Sequence, residues 1–199
     1  MTEEEARAWV ADKAGADTMA SIERFLAMVT DENDRQNLIA PSTIATIWNR
    51  HALDSAQLLA LAPAGAVSWL DIGSGGGFPG VIVALMSDAH VTMVEPRRRR
   101  AEFLAHAVEV LGLDAVVHHS KIEAVEERFD VISARAVAAV DKLGAIAGHC
   151  AHAATRWLLP RGQLDETTLS TLVRKRRVFH VEQSVSDPAS SILVVEGVL

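Results

Sequence analysis

The stretch Val67–Gly80, VSWLDIGSGGGFPG, holds the residues best spaced for chemistry. An apolar run meets the acid Asp71 and opens into a loop with glycines at 73, 75, 76, 77 and 80. Without a Cβ such a loop turns tightly and lets its backbone approach a ligand, and the helix expected after it offers free N–H groups. Glu95 stands twenty residues after Gly75, the distance at which a carboxylate meets the hydroxyls of a ribose seated on the loop. Ile122-Glu123 and Arg135 follow two further apolar runs. In an open parallel sheet all four positions converge, because ligands bind beyond the carboxyl ends of the strands. The chemistry this suggests is the binding of a nucleoside-containing cofactor.

The elements that must position these residues are legible in outline. Ile22, Phe25, Leu26 and Val29 form one apolar helical stripe. Pro41-Ser42 opens a second helical stretch with Ser42 as its expected N-cap, and Asn49–Leu61 reads as a third helix. Strands are expected at Val67–Ile72, His90–Glu95, Ala115–His118, Phe129–Ser133 and Arg156–Leu159. Between them the pattern predicts helices near Gly80–Ser87, Arg97–Leu111 (stopped by Gly112) and Val137–His152, with a fourth after the last strand over about Glu166–Arg174. Two β-rich runs, Val178–Val185 and Ser191–Val198, close the chain around the turn signal Asp187-Pro188, which predicts an antiparallel hairpin at the sheet edge. Strand–helix alternation of this kind implies an α/β fold with a doubly wound, mostly parallel sheet. Residues 1–62 read as an N-terminal helical extension and 63–199 as the Rossmann-like core, together one compact domain.

Composition narrows the class. The chain has 199 residues, 49% hydrophobic, with no Tyr and a single cysteine, Cys150; that suits an aliphatic core, allows no internal disulfide and points to a reducing, cytoplasmic setting. The start MTEEEARAW lacks a signal-peptide apolar region, and the apolar stretches fall well short of the ~20 residues that span a membrane. No membrane partner and no metal are expected. His149, Cys150 and His152 fit no common zinc spacing and read as positions on a helix. Net charge is −7, but residues 1–36 carry nine acidic and four basic side chains, and the remainder holds the basic runs Arg97–Arg100 and Arg174–Arg177. Local patches, not the total, govern attraction to phosphates.

Nicotinamide dinucleotides and S-adenosyl-L-methionine (AdoMet) both use this plan. A dinucleotide needs a pyrophosphate seat and usually a larger substrate region, for which too few residues follow Glu95. The closing pair of β runs suits a Class I AdoMet-dependent methyltransferase. An NPPY motif for an exocyclic amine is impossible without Tyr, and Cys150 lies away from the loops, so an acceptor that is already nucleophilic fits best. Two other readings stay open on residues alone: a nicotinamide (NAD)-dependent oxidoreductase on a small metabolite, and a non-catalytic RNA-binding protein with a vestigial AdoMet fold.

From Asn37 to Gly162 the chain closely resembles the RsmG (GidB, glucose-inhibited division protein B) family of bacterial 16S rRNA guanine-N7 methyltransferases. The resemblance rests on Asn37-Leu38, Arg50-His51-x-x-Asp54-Ser55, Asp71-Ile72-Gly73 through Gly77-Phe78-Pro79-Gly80, Arg99-Arg100-x-x-Phe103-Leu104, Ile122-Glu123 and Arg135-Ala136-Val137-Ala138. It implies AdoMet contacts at Gly73, Phe78, Ile122, Glu123 and Arg135, beside Glu95. It also implies that the partner is 16S rRNA or the small ribosomal subunit; substrate contacts are expected at Asn37, Arg50, His51, Arg99, Arg100 and Arg135. Guanine N7 has an in-plane lone pair and no proton, so no general base is expected. His51 is read either as a substrate contact or as a buried histidine bonded to Asp54. Where the family usually has Lys-Gly after strand five, this chain has Arg161-Gly162.

Overall fold

The computed structural model describes residues 1–135, 139–164 and 166–199, the side chain of Thr168 excepted. Two helices open the chain, α1 (Glu3–Ala14) and α2 (Ala16–Asn33), joined at Gly15 with φ +75°. Thr2 and Glu5 close a reciprocal capping box on α1. The apolar stripe of α2 is buried as its spacing requires: Ile22, Phe25, Leu26 and Val29 all lie in the core.

A seven-stranded sheet follows, in the order β3-β2-β1-β4-β5-β7-β6. The strands are β1 (Ser68–Ile72), β2 (His90–Val94), β3 (Ala115–His118), β4 (Phe129–Ser133), β5 (Ala151–Arg161), β6 (Phe179–Gln183) and β7 (Ser191–Glu196). The first five run parallel, while β7 pairs antiparallel with both β5 and β6. The chain steps outward from β1 to β3, then returns to β4 on the other side of β1. That reversal opens the crevice in which such sheets bind ligands. Helices α4 (Gly80–Met86), α5 (Arg98–Leu111), α6 (Val140–Ala147) and α7 (Glu166–Arg174) complete the alternation. The helices of residues 1–62 share one hydrophobic cluster with β1, β2, α4 and α5, so the extension and the core meet without a polar seam.

Several boundaries differ from the sequence expectation. Residues Pro41–Thr46 form a 3-10 helix whose N-cap is Ala40, not Ser42; Pro41 takes the first helical position, where its missing N–H costs nothing. The expected helix Asn49–Leu61 is a run of changing pitch: a π-turn Trp48–Leu53, a short α3 (Asp54–Ala56) and a 3-10 turn Gln57–Leu61. The expected helix Val137–His152 begins outside the described residues and ends early, because β5 starts at Ala151 rather than Arg156. Pairing of Ala151 with Phe129 of β4 starts the strand early despite its helix-favouring Ala residues, and β7 joins it from Arg156 onward. Cys150 therefore closes a 3-10 turn and His152 lies in a strand.

The glycine loop is held by its surroundings. A Cβ on Gly77 (φ +93°) would lie 2.8 Å from both Phe25 Cζ and Val81 Cγ2, whereas one on Gly75 (φ +55°) would meet nothing nearer than 3.7 Å. Gly77→Ala is therefore expected to lose about 1–3 kcal/mol through overpacking, beyond the roughly 1–2 kcal/mol backbone strain that both substitutions share. Gly75→Ala should show the strain alone. Urea denaturation of the two variants measures the gap, and equal losses would show that the loop is not packed this way.

Candidate active site

Beneath the loop lies a polar network anchored on Asp71, a carboxylate only 1% exposed at the end of β1. Gly80 N–H, at the start of α4, donates to Oδ2 at 3.1 Å, and Ser133 Oγ of β4 donates to Oδ1 at 2.9 Å. The indole N–H of Trp69 donates to Ser133 in turn. Burial pushes the Asp71 carboxyl up, and the bonds from Ser74, Ser133 and Gly80 oppose it. This acid fixes the loop from below.

The cofactor side of the loop is set by Glu95, which lies one residue past β2 and is 3% exposed. Gly75 N–H donates to its Oε2 at 2.9 Å and Arg97 N–H to its Oε1 at 2.8 Å. Gly73, with φ +68°, donates to the carbonyl of Val94 at 2.8 Å, tying the loop to β2. Ile122 is buried and Glu123 exposed on a 3-10 turn between β3 and β4. These groups suit a nucleoside: each Glu95 oxygen keeps a further lone pair for a ribose hydroxyl, beside Gly75 and the apolar Ile122.

Phe78, Arg135 and His51 form a second cluster. The Phe78 ring is buried, with its centroid 5.2 Å from Phe25 and 4.9 Å from His51. The Arg135 guanidinium lies over that ring at 5.7 Å and donates to the Arg50 carbonyl at 3.1 Å and to His51 Nδ1 at 2.9 Å. Arginine can only donate, so the His51 proton sits on Nε2 and is given to Thr43 Oγ1, at 2.8 Å. The Thr43 hydroxyl then donates to the Ala40 carbonyl. The expected bond between His51 and Asp54 does not form, because Arg135 and Thr43 take both ring nitrogens. Burial, with Arg135 and Arg50 adding to it, pushes the His51 pKa down to about 3.

The cluster forms one wall of a cavity of about 460 Å³, within the range of small-ligand sites. Arg50, Asp54, Arg161 and the β6–β7 hairpin residues Ser184 and Ser190 line the rest. Arg50 reaches Asp187 of the hairpin at 3.2 Å. Asp54 and Arg161, which sequence reasoning left outside the site, belong to it. The motif residues Ala136, Val137 and Ala138 lie outside the described residues.

Asn37, Arg99 and Arg100 lie elsewhere, in a groove of about 400 Å³ with Gln36, Arg97 and Arg98. Arg100 donates to the Asn37 carbonyl and Arg99 to that of Arg35, so the groove is prearranged. The residues between the two regions pack against the loop: a Cβ on Gly76 would lie 3.2 Å from Leu38. The substrate candidates thus divide between a cavity and a basic groove, linked by residues 37–43.

Cys150 is remote from this chemistry. Burial and then Glu127 push its thiol up to about 11, so it is not an ionised nucleophile. His149 bonds the Val125 carbonyl and His152 lies 3.4 Å from Asp130; among the described residues no three potential ligands gather around a metal position. Nor is any described helix long and apolar enough to cross a membrane.

Residues 18–190 match the GidB family, described as rRNA small subunit methyltransferase G. A protein of Rhizorhabdus wittichii named ribosomal RNA small subunit methyltransferase G is 45% identical, the alignment covering 100% of this chain and 94% of the relative. Its namesake in Zymomonas mobilis is 42% identical, over 98% and 93%. Among solved structures, a SAM-dependent methyltransferase from Aquifex aeolicus superimposes with a TM-score of 0.61 at 13% identity, covering 87% of this chain and 98% of that one. Magnesium protoporphyrin IX methyltransferase from Synechocystis, with bound SAM, gives 0.59 at 16%, over 87% and 96%. The fold is that of the Class I AdoMet-dependent methyltransferases, antiparallel terminal hairpin included; the nicotinamide alternative finds no support in this sheet order.

The buried neutral imidazole has a consequence for stability. The folded His51 pKa is about 3, below the ordinary 6.5, so the folded state resists protonation. Its contribution is complete above the unfolded pKa and is lost as pH falls from about 6.5 toward 3. Between pH 7 and 5 the wild type should lose about 2 kcal/mol more than a His51→Gln variant. Denaturant melts at the two pH values measure the difference, and parallel losses would mean that His51 is not held neutral.

Proposed function

The chain belongs to the GidB family, the rRNA small subunit methyltransferases G, and from that premise we propose that it transfers the methyl group of AdoMet to N7 of a guanine in small-subunit (16S) ribosomal RNA. The observation that carries this reading is the juxtaposition of two sites at neighbouring strand ends. The glycine loop and Glu95 follow β1 and β2, and the cavity with Arg135 follows β4. Gly73, Glu95, Ile122 and Glu123 hold the cofactor; Phe78 supports them from beneath and Arg135 stands between cofactor and acceptor. The cationic groove of Asn37, Arg99 and Arg100 receives RNA phosphates, and Arg50 with Arg135 steers the acceptor nucleotide. His51 acts through Arg135. The reaction takes place in the cytoplasm, on rRNA or the assembled small subunit.

Bound AdoMet supplies an electrophilic methyl group on a sulfonium. The protein needs no base, because N7 attacks through a lone pair in the ring plane. This agrees with a histidine kept neutral and doubly bonded. The work left to the side chains is alignment, which is worth on the order of 7–11 kcal/mol in favourable cases. The test is direct. Small subunits or 16S rRNA lacking the modification are incubated with the protein and AdoMet, then digested and read by mass spectrometry. One 7-methylguanosine should appear, and its absence from both substrates would overturn the reading.

Two further outcomes are expected. Glu95→Ala should weaken AdoMet by about 1.5–3 kcal/mol, the size of a hydrogen bond to a charged group, measured by calorimetry. A 2′-deoxyribose analogue should lose less; equal losses would leave Glu95 only its observed role, bracing Gly75 and Arg97. Replacing Arg99 and Arg100 together by Gln should flatten the salt dependence of RNA binding by about one phosphate contact per lost charge, with AdoMet affinity nearly intact. The same exchange at Arg176 and Arg177 should do less. A dominant effect of that second pair would mean that RNA approaches another face.

A further inference from the structure

Within the 460 Å³ cavity, two polar groups remain unsatisfied by the protein. Asp54 receives hydrogen bonds from Gln57 Nε2 at 3.1 Å and from Ser186 Oγ, but both fall on Oδ1. Among the described residues nothing donates to Oδ2. Arg161, at the end of β5, lines the same cavity and has a buried Nη2 with no partner among the described residues. A buried polar atom such as this Nη2 is rarely left unpaired unless a ligand completes it. The remaining cations of the cavity are engaged: Arg50 with Asp187, Arg135 with His51 and the Arg50 carbonyl.

One free acceptor and one free donor lining the same base-sized cavity match a single nucleobase edge. The Watson–Crick edge of guanine presents the O6 acceptor, then the N1–H and N2–H donors. Adenine presents the reverse order and would set its N1 lone pair against a carboxylate. Reading guanine by this edge also leaves N7, on the Hoogsteen side, free to meet the methyl group. Building on the function proposed above, we propose that Asp54 selects the acceptor base, its Oδ2 accepting from N1–H and the N2 amine of guanine while Arg161 Nη2 donates to O6. Methylation places positive charge on the purine and makes N1–H a stronger donor. The bonds to Asp54 therefore strengthen as the methyl group moves, and the residue acts on turnover as well as on binding.

Inosine keeps N7, O6 and N1–H but lacks the N2 amine. Small subunits reconstituted with guanine or inosine at the modified position give the test. Wild type should methylate guanine faster than inosine by on the order of 10- to 100-fold, the rate equivalent of one hydrogen bond to a charged group. Asp54→Asn should slow the guanine reaction by at least as much and bring the two rates close together, with AdoMet affinity by calorimetry unchanged. Ser186→Ala, which removes the bond to Oδ1 and one to Ser184 but leaves Oδ2 untouched, should retain the preference. A wild type indifferent to inosine, or an Asp54→Asn variant that keeps the full preference, would overturn the assignment. Failure of wild type to methylate either substrate would instead overturn the rRNA reading on which it rests.

Discussion

Everything at the catalytic end of the sheet depends on a carboxylate that has no water. Asp71 sits at the tip of the central strand β1, and its two oxygens must be satisfied from within. Gly80 N–H satisfies one and Ser133 the other, so a single acid joins the start of α4 to the end of β4. A Cβ at Gly80 would stand 2.8 Å from that carboxylate, so packing requires the glycine. The loop above can then present its backbone in one conformation. Its far side is tied to β2 twice, through Gly73 to Val94 and through Gly75 to Glu95. Anchoring from both neighbours of β1 preorganises the loop proposed as the cofactor seat.

From this base the order passes outward through Arg135. Its guanidinium is fixed by His51, His51 by Thr43, and Thr43 by the Ala40 carbonyl. The last members lie in residues 37–43, which also pack on Gly76 and receive Arg100. One chain of contacts thus runs from the basic groove, across the glycine loop, to the wall of the acceptor cavity. The helical extension is therefore part of the site rather than an appendage, and the unusual pitch of residues 48–61 serves it. The π-turn and the following helical turn bring Arg50, His51, Asp54 and Gln57 to the same region.

How much of this the sequence disclosed follows from the range of each interaction. The parallel strands were legible because they are continuous apolar runs bounded by glycine or acid, and the glycine loop because φ > 0 selects its residues. Spacing alone placed Glu95 beside the glycine loop, but did not disclose its bonds to Gly75 and Arg97. His51 was paired with Asp54 on local spacing, whereas its partners are Thr43 and the far-off Arg135. Asp54 was missed as a site residue for the same reason: its hairpin partner Ser186 lies far along the chain. The early start of β5 at Ala151 was hidden too, since AHAAT favours a helix until Ala151 pairs with Phe129 of β4.

The charge inventory of the cavity bears on the reaction proposed for it. In that reaction a positive charge moves from sulfur to the purine, so the site would have to tolerate a cation before and after the step. Three arginines border it, Arg50, Arg135 and Arg161. Unbalanced, they would repel both the sulfonium and the methylated base. Asp187 faces Arg50, and Asp54 and Asp71 both act on Arg135. Burial pushes the Asp54 and Asp71 carboxyls up and the nearby Arg135 opposes it, so the arginine and these acids sustain one another's charge. Further cations line the Asn37 groove, where Arg98 pairs with Glu102 while Arg97, Arg99 and Arg100 form no ion pair among the described residues. Under the proposed function, keeping phosphate attraction apart from the reacting centre would let a net-acidic protein hold RNA without opposing the charge that moves.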